Sequence, residues 1–450
     1  MLILAAMRKL LLTALFYGGV FFSHAQTNAY QIKAGKLFDS ETGTFQTNKV
    51  ILVKGEKIDT VKNSSDLTAA DQKTYATVID LSRFTVMPGL IDAHTHLLYR
   101  EVIHPGNNPP AMDMAKMLTL EGDAYRALYG AARAKAYLES GITAVQDLGN
   151  SGNFGDVALQ RAINEGLVTG PRMRCSGPGL STEGGQFPGL IYKHRDLAND
   201  EYRIVKGSDD AVQAVRENIT QGADVIKIYA NNTPNKTMLT VDEIKAIVTE
   251  AHRYGIRVTA HATDNTAVWN AVTGGVDGIE HGYRLNDTTL ELMAKKNVVM
   301  VPTFSDSATM VDFVKLNNLG DPEEIKRTPQ ILASYNKYKV SQLQRIRQKG
   351  VTIVAGSDDY VSTSFPMAEV SKRTLIGYVQ AGMTIKETLQ AATLNAATHL
   401  RWKDKIGVIK KGAFADIVAF DGDLDTNINA LLNTRFVMKG GKIYTANYNF

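Results

Sequence analysis

The sequence predicts an α/β fold, namely a (β/α)8 TIM-type barrel with a small β-sandwich domain built from both ends of the chain. Its central part alternates short apolar runs with helix-patterned segments, and eight such runs can be counted, as a closed barrel requires. Short β-prone runs of one texture occur at both ends. The 450 residues, 44% hydrophobic and 21% charged, supply a sizeable core for one or two domains.

The two ends of the chain share a pattern of short β-prone runs separated by turns. Residues 31–34 and 50–53 show it near the start, and residues 415–420 show it near the end. Because an isolated hairpin is only marginally stable, we expect the two groups to pair. The predicted β-sandwich domain therefore comprises residues 26–84 and 406–450.

The predicted barrel occupies residues 85–405. Its strands are short apolar runs, and several of its helices carry apolar residues at helical spacing. The predicted helices include 124–139, 211–221, 241–254, 331–349 and 367–380. The eight predicted strands are 86–96, 143–148, 172–176, 225–230, 257–262, 278–281, 298–304 and 352–358.

Residues 1–25 are predicted to be a signal peptide. The basic segment Met7-Arg8-Lys9 precedes the apolar stretch 10–22, which is too short to span a bilayer comfortably. Small residues, Ser23 and Ala25, then suit cleavage after Ala25. We therefore expect an exported protein, periplasmic or secreted, with no stable membrane anchor after cleavage. A retained anchor is the alternative, and Met7 is an alternative start.

The charge and the cysteine content bear on two questions, namely whether the protein binds nucleic acid and whether it contains a disulfide bond. There are 50 basic and 46 acidic residues, a net charge of +4 without long runs, so nothing favours a nucleic-acid partner. The single cysteine, Cys175, cannot form an internal disulfide, so stability must come from packing.

Polar residues fall where the predicted barrel strands end, and barrel active sites are built at those carboxyl ends. His94 and His96 alternate along a strand, so they project from one face about 7 Å apart and can bind one metal ion. For each histidine taken alone, a hydrogen-bonded core residue is the alternative. The residues predicted to cluster at the strand ends are His94, His96, Lys227, Tyr229, His261, His281 and Asp358.

Lys227 places an amine inside the apolar strand that contains Ile226 and Ile228. If the isoleucines face the helices, Lys227 and Tyr229 face the barrel interior, where an unpaired ammonium is costly. One interpretation is an ion pair with a neighbouring carboxylate. The other is a neutral amine that has taken up carbon dioxide, giving a carbamate that bridges two metal ions.

These residues resemble the pattern of the amidohydrolase superfamily, and the resemblance covers nearly the whole mature chain. That pattern is a His-x-His after strand one, a carboxylated lysine on strand four, histidines after strands five and six, and an aspartate after strand eight. Supporting segments are 86–92, 355–358, 391–397 and 412–418. The chain looks similar to the imidazolonepropionase-related branch, which includes prolidase-like dipeptidases.

The resemblance implies a role for each of these residues. Two divalent metal ions, with zinc favoured by the nitrogen and oxygen ligands, would be bound, and N6-carboxylated Lys227 would bridge them. Asp358 would also be catalytic, as the group that accepts a proton and passes it to the departing amine. Tyr229 could donate to the oxyanion, with a packing role as the alternative. The implied ligands are His94, His96 and Asp358 for one ion, and His261 and His281 for the other.

The reaction predicted from this resemblance is hydrolysis of a C–N amide bond, by a prolidase-like dipeptidase or an N-acyl amino acid hydrolase. One alternative is a deaminase or cyclic amidase of a heterocycle, like imidazolonepropionase. Deaminases need Glu three residues after the strand-five histidine, and this chain has the shorter Asp264 there. A secreted metal-binding protein without catalysis is an alternative of another class.

Two residues are candidates for contact with substrate, which we expect to be a small molecule or a dipeptide. Gln186 lies in a loop after strand three, where relatives often carry Gly-Gly-His. Arg284, three residues after His281, could meet a substrate carboxylate, with a solvated arginine as the alternative. The sequence does not indicate an oligomeric state.

Overall fold

The computed structural model describes residues 28–103, 112–187, 189–232, 235–318 and 322–447. The predicted signal peptide, residues 1–25, lies outside the described residues. Within them, no helix is both long and apolar enough to cross a membrane. The strands are β1 (Ala29–Asp39), β2 (Thr44–Lys54), β3 (Lys57–Asn63), β4 (Thr77–Pro88), β5 (Leu90–Thr95), β6 (Ile142–Asp147), β7 (Arg172–Cys175), β8 (Gly179–Ser181), β9 (Tyr202–Ile204), β10 (Val225–Tyr229), β11 (Asn231–Asn232), β12 (Thr237–Met238), β13 (Arg257–Ala262), β14 (Gly278–His281), β15 (Val299–Val301), β16 (Ile417–Phe420), β17 (Thr434–Lys439) and β18 (Lys442–Ala446).

The two ends of the described chain meet in one seven-stranded mixed sheet, in the order β18-β17-β16-β4-β1-β2-β3. Strand β16 runs antiparallel to β4, with Ile417 opposite Pro88, so the C-terminal strands extend the N-terminal sheet. Buried side chains from both ends, including Ile32, Ile79 and Phe436, form a common apolar cluster. The second sheet of the predicted sandwich is not confirmed.

Parallel strands make up the central part, and their alternation with helices fits a TIM-type fold. They form a three-stranded sheet, β5-β6-β7, and a six-stranded sheet, β15-β14-β13-β10-β8-β9. The predicted third strand, 172–176, corresponds to β7 of the three-stranded sheet, and the chain enters the six-stranded sheet directly afterwards, at β8. Gly177, in a left-handed conformation at φ 61°, and Pro178, which has no N–H, interrupt the ladder there. The hydrogen bonding therefore does not close the predicted barrel.

The predicted first and eighth strands also differ from the structure. Val86 belongs to β4 of the terminal sheet, and β5 begins only after Gly89. Residues 352–358 form no regular strand, although two backbone hydrogen bonds connect them to each neighbouring strand. The backbone N–H of Asp358 donates to the carbonyl of His94 (2.9 Å), and that of Val354 donates to Met300 (2.9 Å).

Helices lie between most of the parallel strands, and their termini follow local sequence signals. The helix Val241–Arg253 begins with a capping box, in which Thr240 Oγ1 accepts from the Glu243 N–H and the Glu243 carboxylate accepts from the Thr240 N–H. The α-helices are Ala69–Thr74, Met112–Lys116, Gly122–Glu139, Gly155–Asn164, Ser208–Thr220, Val241–Arg253, Asn265–Gly274, Asp287–Lys295, Ser307–Asn317, Pro322–Lys326, Thr328–Gln348, Glu369–Gln380, Ile385–Gln390 and Ala396–His399.

Two features bring the segment around Asp358 close to β5. A Cβ on Gly356 would lie only 2.8 Å from the Cβ of His94, so only glycine allows this approach. Asp92 joins the same two segments, because its carboxylate accepts from the Ser357 hydroxyl at 2.6 Å, and it also accepts from the Ser371 hydroxyl of the helix Glu369–Gln380 at 2.6 Å. Burial raises the pKa of Asp92 to about 6, against these hydrogen bonds.

Candidate metal centre

His94 and His96 lie side by side at the end of β5. Their Nε2 atoms are 3.2 Å apart, and each faces Oδ1 of Asp358, at 3.4 Å from His94 and 3.2 Å from His96. The alternation of side chains along the strand therefore places both imidazoles toward one carboxylate.

The opposite ring nitrogens of the pair are held by acceptors. His94 Nδ1 lies 2.7 Å from Glu280 Oε2, and His96 Nδ1 donates to the Gly149 carbonyl at 2.8 Å. A histidine that donates through Nδ1 leaves the lone pair of Nε2 free for a metal ion, as in carboxylate–histidine–metal arrangements. This geometry fits metal ligation better than a purely structural pair.

His281 and His261 complete a continuous group of imidazoles. The ring centroid of His281 lies 5.1 Å from that of His94 and 4.7 Å from that of His261. His281 has φ 72° and Asp358 has φ 55°, a conformation that non-glycine residues rarely adopt and that is often found at functional sites. His261 Nε2 is buried and has no hydrogen-bond partner among the described residues.

Lys227 is 1% exposed, and its Nζ lies 5.5 Å from the ring centroid of Tyr229. Within the described chain, no carboxylate forms a salt bridge with it, so the ion-pair interpretation finds no partner there. Burial lowers the pKa of Lys227, while Glu280 and Asp358 act in the opposite direction. A lysine with a lowered pKa has more of the neutral amine that can react with carbon dioxide.

Burial keeps three of the imidazoles neutral. Burial lowers the pKa of His94, His261 and His281 well below the usual value, and the charge of Lys227 adds to this effect. Burial would raise the pKa of Asp358, but His94 and His96 outweigh it and the pKa is lowered. Neutral imidazoles and an ionised carboxylate are the protonation states that bind metal.

The donor set therefore fits a divalent metal ion. One ligand atom each from His94, His281 and Asp358 all lie within 4.8 Å of one another. The resemblance instead assigned His281 to the second ion, together with His261. His281 lies close both to His94 and to His261. The division of ligands between two ions therefore stays a prediction.

The other predicted site residues have different surroundings. The Tyr229 hydroxyl donates to Asn150 Oδ1 at 3.1 Å, and Gln186 Nε2 donates to the Asn231 carbonyl at 3.1 Å. Arg284 is exposed and lines a cavity of about 570 Å³ that reaches Asp358. Tyr229 and Gln186 do not line this cavity.

Glu280, which was not among the predicted site residues, connects His94 on β5 to Thr259 on β13. It is fully buried, its Oε2 contacts His94, and its Oε1 accepts from the Thr259 hydroxyl. Burial raises its pKa, while Lys227 acts to lower it. The sequence did contain a signal for Glu280, because a carboxylate within a predicted barrel strand, 278–281, needs a buried partner.

The neighbouring Asp359 has a different role from Asp358. Its Oδ2 lies 3.2 Å from Arg133 Nη2 and accepts from the Tyr137 hydroxyl at 3.0 Å. Asp358 therefore faces the imidazoles, whereas the adjacent Asp359 forms a buried ion pair.

Comparison with known proteins agrees with this site. The sequence profile of the amidohydrolase family matches residues 85–444. The chain belongs to the amidohydrolase family. This amidohydrolase is 26% identical over 389 residues to ochratoxinase of Aspergillus niger, covering 80% of this chain and 75% of that protein. It is 24% identical over 404 residues to imidazolonepropionase of Fusobacterium nucleatum, covering 84% and 86%.

A solved structure gives the same picture. The crystal structure of a Xaa-Pro dipeptidase with bound methionine in the active site superposes with a TM-score of 0.76 at 28% identity, covering 93% of this chain and 100% of that chain. The amidohydrolase is therefore a hydrolase that acts on carbon–nitrogen bonds, in a superfamily that generally uses a divalent metal.

We expect Glu280→Gln to weaken the binding of divalent metal by about 10- to 100-fold, because the amide holds His94 less strongly than the carboxylate does. Chelator competition on the purified protein measures this change. Glu250→Gln is the control, because Glu250 is also buried but accepts from Arg216 outside the site (2.7 Å). Equal metal affinities in the two variants would contradict the role of Glu280.

Proposed function

We propose that this amidohydrolase hydrolyses the amide bond of a dipeptide or an N-acyl amino acid. We also propose that it is exported and binds two divalent metal ions, with zinc as the favoured metal. The single observation that carries the two-metal proposal is the buried Lys227 beside the histidine group, without a carboxylate partner among the described residues. The names of the similar proteins, ochratoxinase and Xaa-Pro dipeptidase, support hydrolysis as the reaction.

The residues of the chain divide the chemistry among them. When bound, divalent ions supply Lewis acidity and make water a nucleophile near neutral pH. Asp358 accepts the proton of the attacking water and passes it to the departing amine. It suits this role because its side chain is 21% exposed and faces both His96 and the cavity. Tyr229 stays the predicted oxyanion donor, and its hydroxyl would have to turn from Asn150 toward the substrate.

The cavity next to Asp358 indicates the kind of substrate that fits. Its walls include the aromatic side chains of Tyr283, Phe304 and Tyr338, and Arg284 contributes a cation. An apolar or aromatic group would pack against the rings, while a carboxylate would meet the guanidinium. A carboxylate next to a hydrolysable amide is the common feature of dipeptides and N-acyl amino acids.

The deaminase alternative is less well supported by the surroundings of Asp264. Its Oδ1 accepts from the N–H groups of Thr266 (2.9 Å) and Ala267 (3.0 Å) at the start of the helix Asn265–Gly274. One oxygen of this carboxylate therefore caps the helix, and Asp264 also lines the cavity that reaches Asp358. Amide hydrolysis is favoured over deamination because Asp264 is shorter than the Glu of the deaminase pattern and because Lys227 would have no role in a one-metal deaminase.

The test is metal analysis of the purified protein together with a screen of dipeptides, N-acyl amino acids and heterocycles. We expect two metal ions per chain and release of an amino acid. Deamination of a heterocycle without dipeptide cleavage would overturn the proposed reaction. If no substrate in the screen is turned over and metal removal leaves the biological activity of the protein unchanged, a binding protein is favoured.

We expect Arg284→Met to raise KM by about 10- to 100-fold for a substrate with a free carboxylate and to leave kcat within a few-fold, because a charge-assisted hydrogen bond is lost. Steady-state kinetics measure this change. The same substrate with its carboxylate blocked as an amide is the control and should show equal KM values in both proteins. An unchanged KM for the free carboxylate would show that Arg284 is only solvated.

A further inference from the structure

A group of arginines lies at the end of the parallel strands opposite the histidines. Arg257 begins strand β13, and His261 lies near the other end of the same strand. A cavity of about 90 Å³ is located here, and Arg257, Arg174 and Arg401 contribute to its lining. None of them belongs to the proposed mechanism.

Arg257 is a buried cation whose described partners are neutral. It is 7% exposed, and its Nη2 donates to Gln146 Oε1 at 2.6 Å. Its Nη1 lies 2.8 Å from Nδ1 and 3.1 Å from Nε2 of His399. Burial lowers the pKa of His399 well below the usual value, so the ring is neutral and only one of its nitrogens can accept.

This arrangement gives Arg257 only neutral hydrogen-bond partners among the described residues. Within the described parts of the chain, no carboxylate forms a salt bridge with Arg257. Burial lowers the pKa of Arg257 to about 10; Asp277 and Glu280 act to raise it, and Arg401 and Arg174 lower it further. A buried cation without an anionic partner is costly, which favours a bound anion.

The neighbouring residues add further positive charge. Arg174 contacts the one carboxylate in the lining, Asp224, at 2.8 Å and lies over the ring of Trp402 at 4.3 Å. Arg401 is exposed and donates to the Gly255 carbonyl. Three guanidinium groups thus face a single carboxylate, which is already paired with one of them.

We propose that this cavity is a binding site for a small inorganic oxyanion of the phosphate or sulfate class. A water molecule occupies about 30 Å³ in the liquid, so the cavity has room for one tetrahedral oxyanion. The guanidinium group presents parallel N–H donors that match two oxygens of such an anion. The anion would be the negatively charged partner that Arg257 lacks, and it would connect β13 to the segment His399-Leu400-Arg401.

The test uses the metal-loaded full chain and measures binding of radiolabelled phosphate by equilibrium dialysis. A metal centre can also bind phosphate, so the informative quantity is the difference between proteins. We expect wild type to bind one more phosphate per chain than Arg401→Gln or Arg257→Gln. Arg253→Gln is the matched control, because Arg253 is on the preceding helix, is 65% exposed and is not part of the cavity lining.

Thermal unfolding provides a second measurement. We expect about 10 mM phosphate to raise the Tm of wild type and Arg253→Gln saturably, by about 2 °C, and to leave Arg401→Gln unchanged. Sulfate at the same concentration should act like phosphate if oxyanion shape is recognised. Chloride at equal ionic strength should give no such shift.

Two results would overturn the proposal. One is equal phosphate stoichiometry in wild type, Arg401→Gln and Arg257→Gln. The other is an equal Tm shift in wild type and Arg401→Gln, which would show a general salt effect. If Arg257→Gln does not fold, the exposed Arg401 keeps the proposal testable.

Discussion

Lys227→Ala is expected to bind fewer metal ions per chain than wild type and to lose about 10⁴-fold or more in kcat/KM. The proposed carbamate on Lys227 would hold both ions, and alanine offers no ligand atom. Elemental analysis measures the metal content, and steady-state kinetics on the substrate found by the screen measure the activity. Acetate or propionate should restore part of the activity, because a small carboxylate can occupy the space that the carbamate leaves.

Lys372→Ala is the matched control for Lys227→Ala. Lys372 is also buried, its pKa is lowered by burial to about 8, and its Nζ donates to Thr434 Oγ1 at 3.2 Å, outside the site. Its replacement should reduce stability but leave the metal content per folded chain unchanged. Full activity of Lys227→Ala with one metal ion per chain would overturn the two-metal mechanism.

Asp358→Asn is expected to lower kcat by about 10³-fold or more and to change KM only a few-fold. The amide keeps the shape of the side chain but cannot accept a proton from water and pass it to the amine. Kinetics should be measured at saturating metal, because His94 and His96 both face Asp358 Oδ1 and metal affinity will also fall.

The adjacent carboxylate is the control for Asp358→Asn. Asp359→Asn weakens the buried contacts with Arg133 and Tyr137, so it should lower the free energy of unfolding by about 3 kcal/mol. The kcat of the folded fraction should change little by comparison. Wild-type kcat in Asp358→Asn would show that another group transfers the proton.

Part of the site could be predicted because its signals are local. The alternation of side chains along a strand predicts that His94 and His96 share a face, and the structure places their Nε2 atoms 3.2 Å apart. The start of the helix Val241–Arg253 was predictable for the same reason, since its capping box of Thr240 with Glu243 involves neighbours in sequence. The predicted helices 211–221 and 331–349, in contrast, each begin three residues after the observed start.

Other parts of the site depend on contacts between distant segments. Asp264 occupies the sequence position of a deaminase acid, but helix capping uses its carboxylate. The Gln186 amide donates to the Asn231 carbonyl, and the residue does not line the cavity, while its contact with substrate stays a prediction. Neither outcome is encoded in the residue type or in its spacing from a histidine.

The sequence by itself determined the α/β pattern, the identity of the candidate ligands and the family resemblance. Only the tertiary structure decided which groups surround each ligand. Glu280 contacts His94 across 186 positions of sequence, and Arg257 meets His399 across 142. The physical reason is that periodicity and capping act within a few residues, whereas the partner of a buried charge is set by packing between remote segments. The shared orientation of His94 and His96 can thus be predicted from their strand, whereas the hydrogen bonds that orient their rings can be seen only in the tertiary structure.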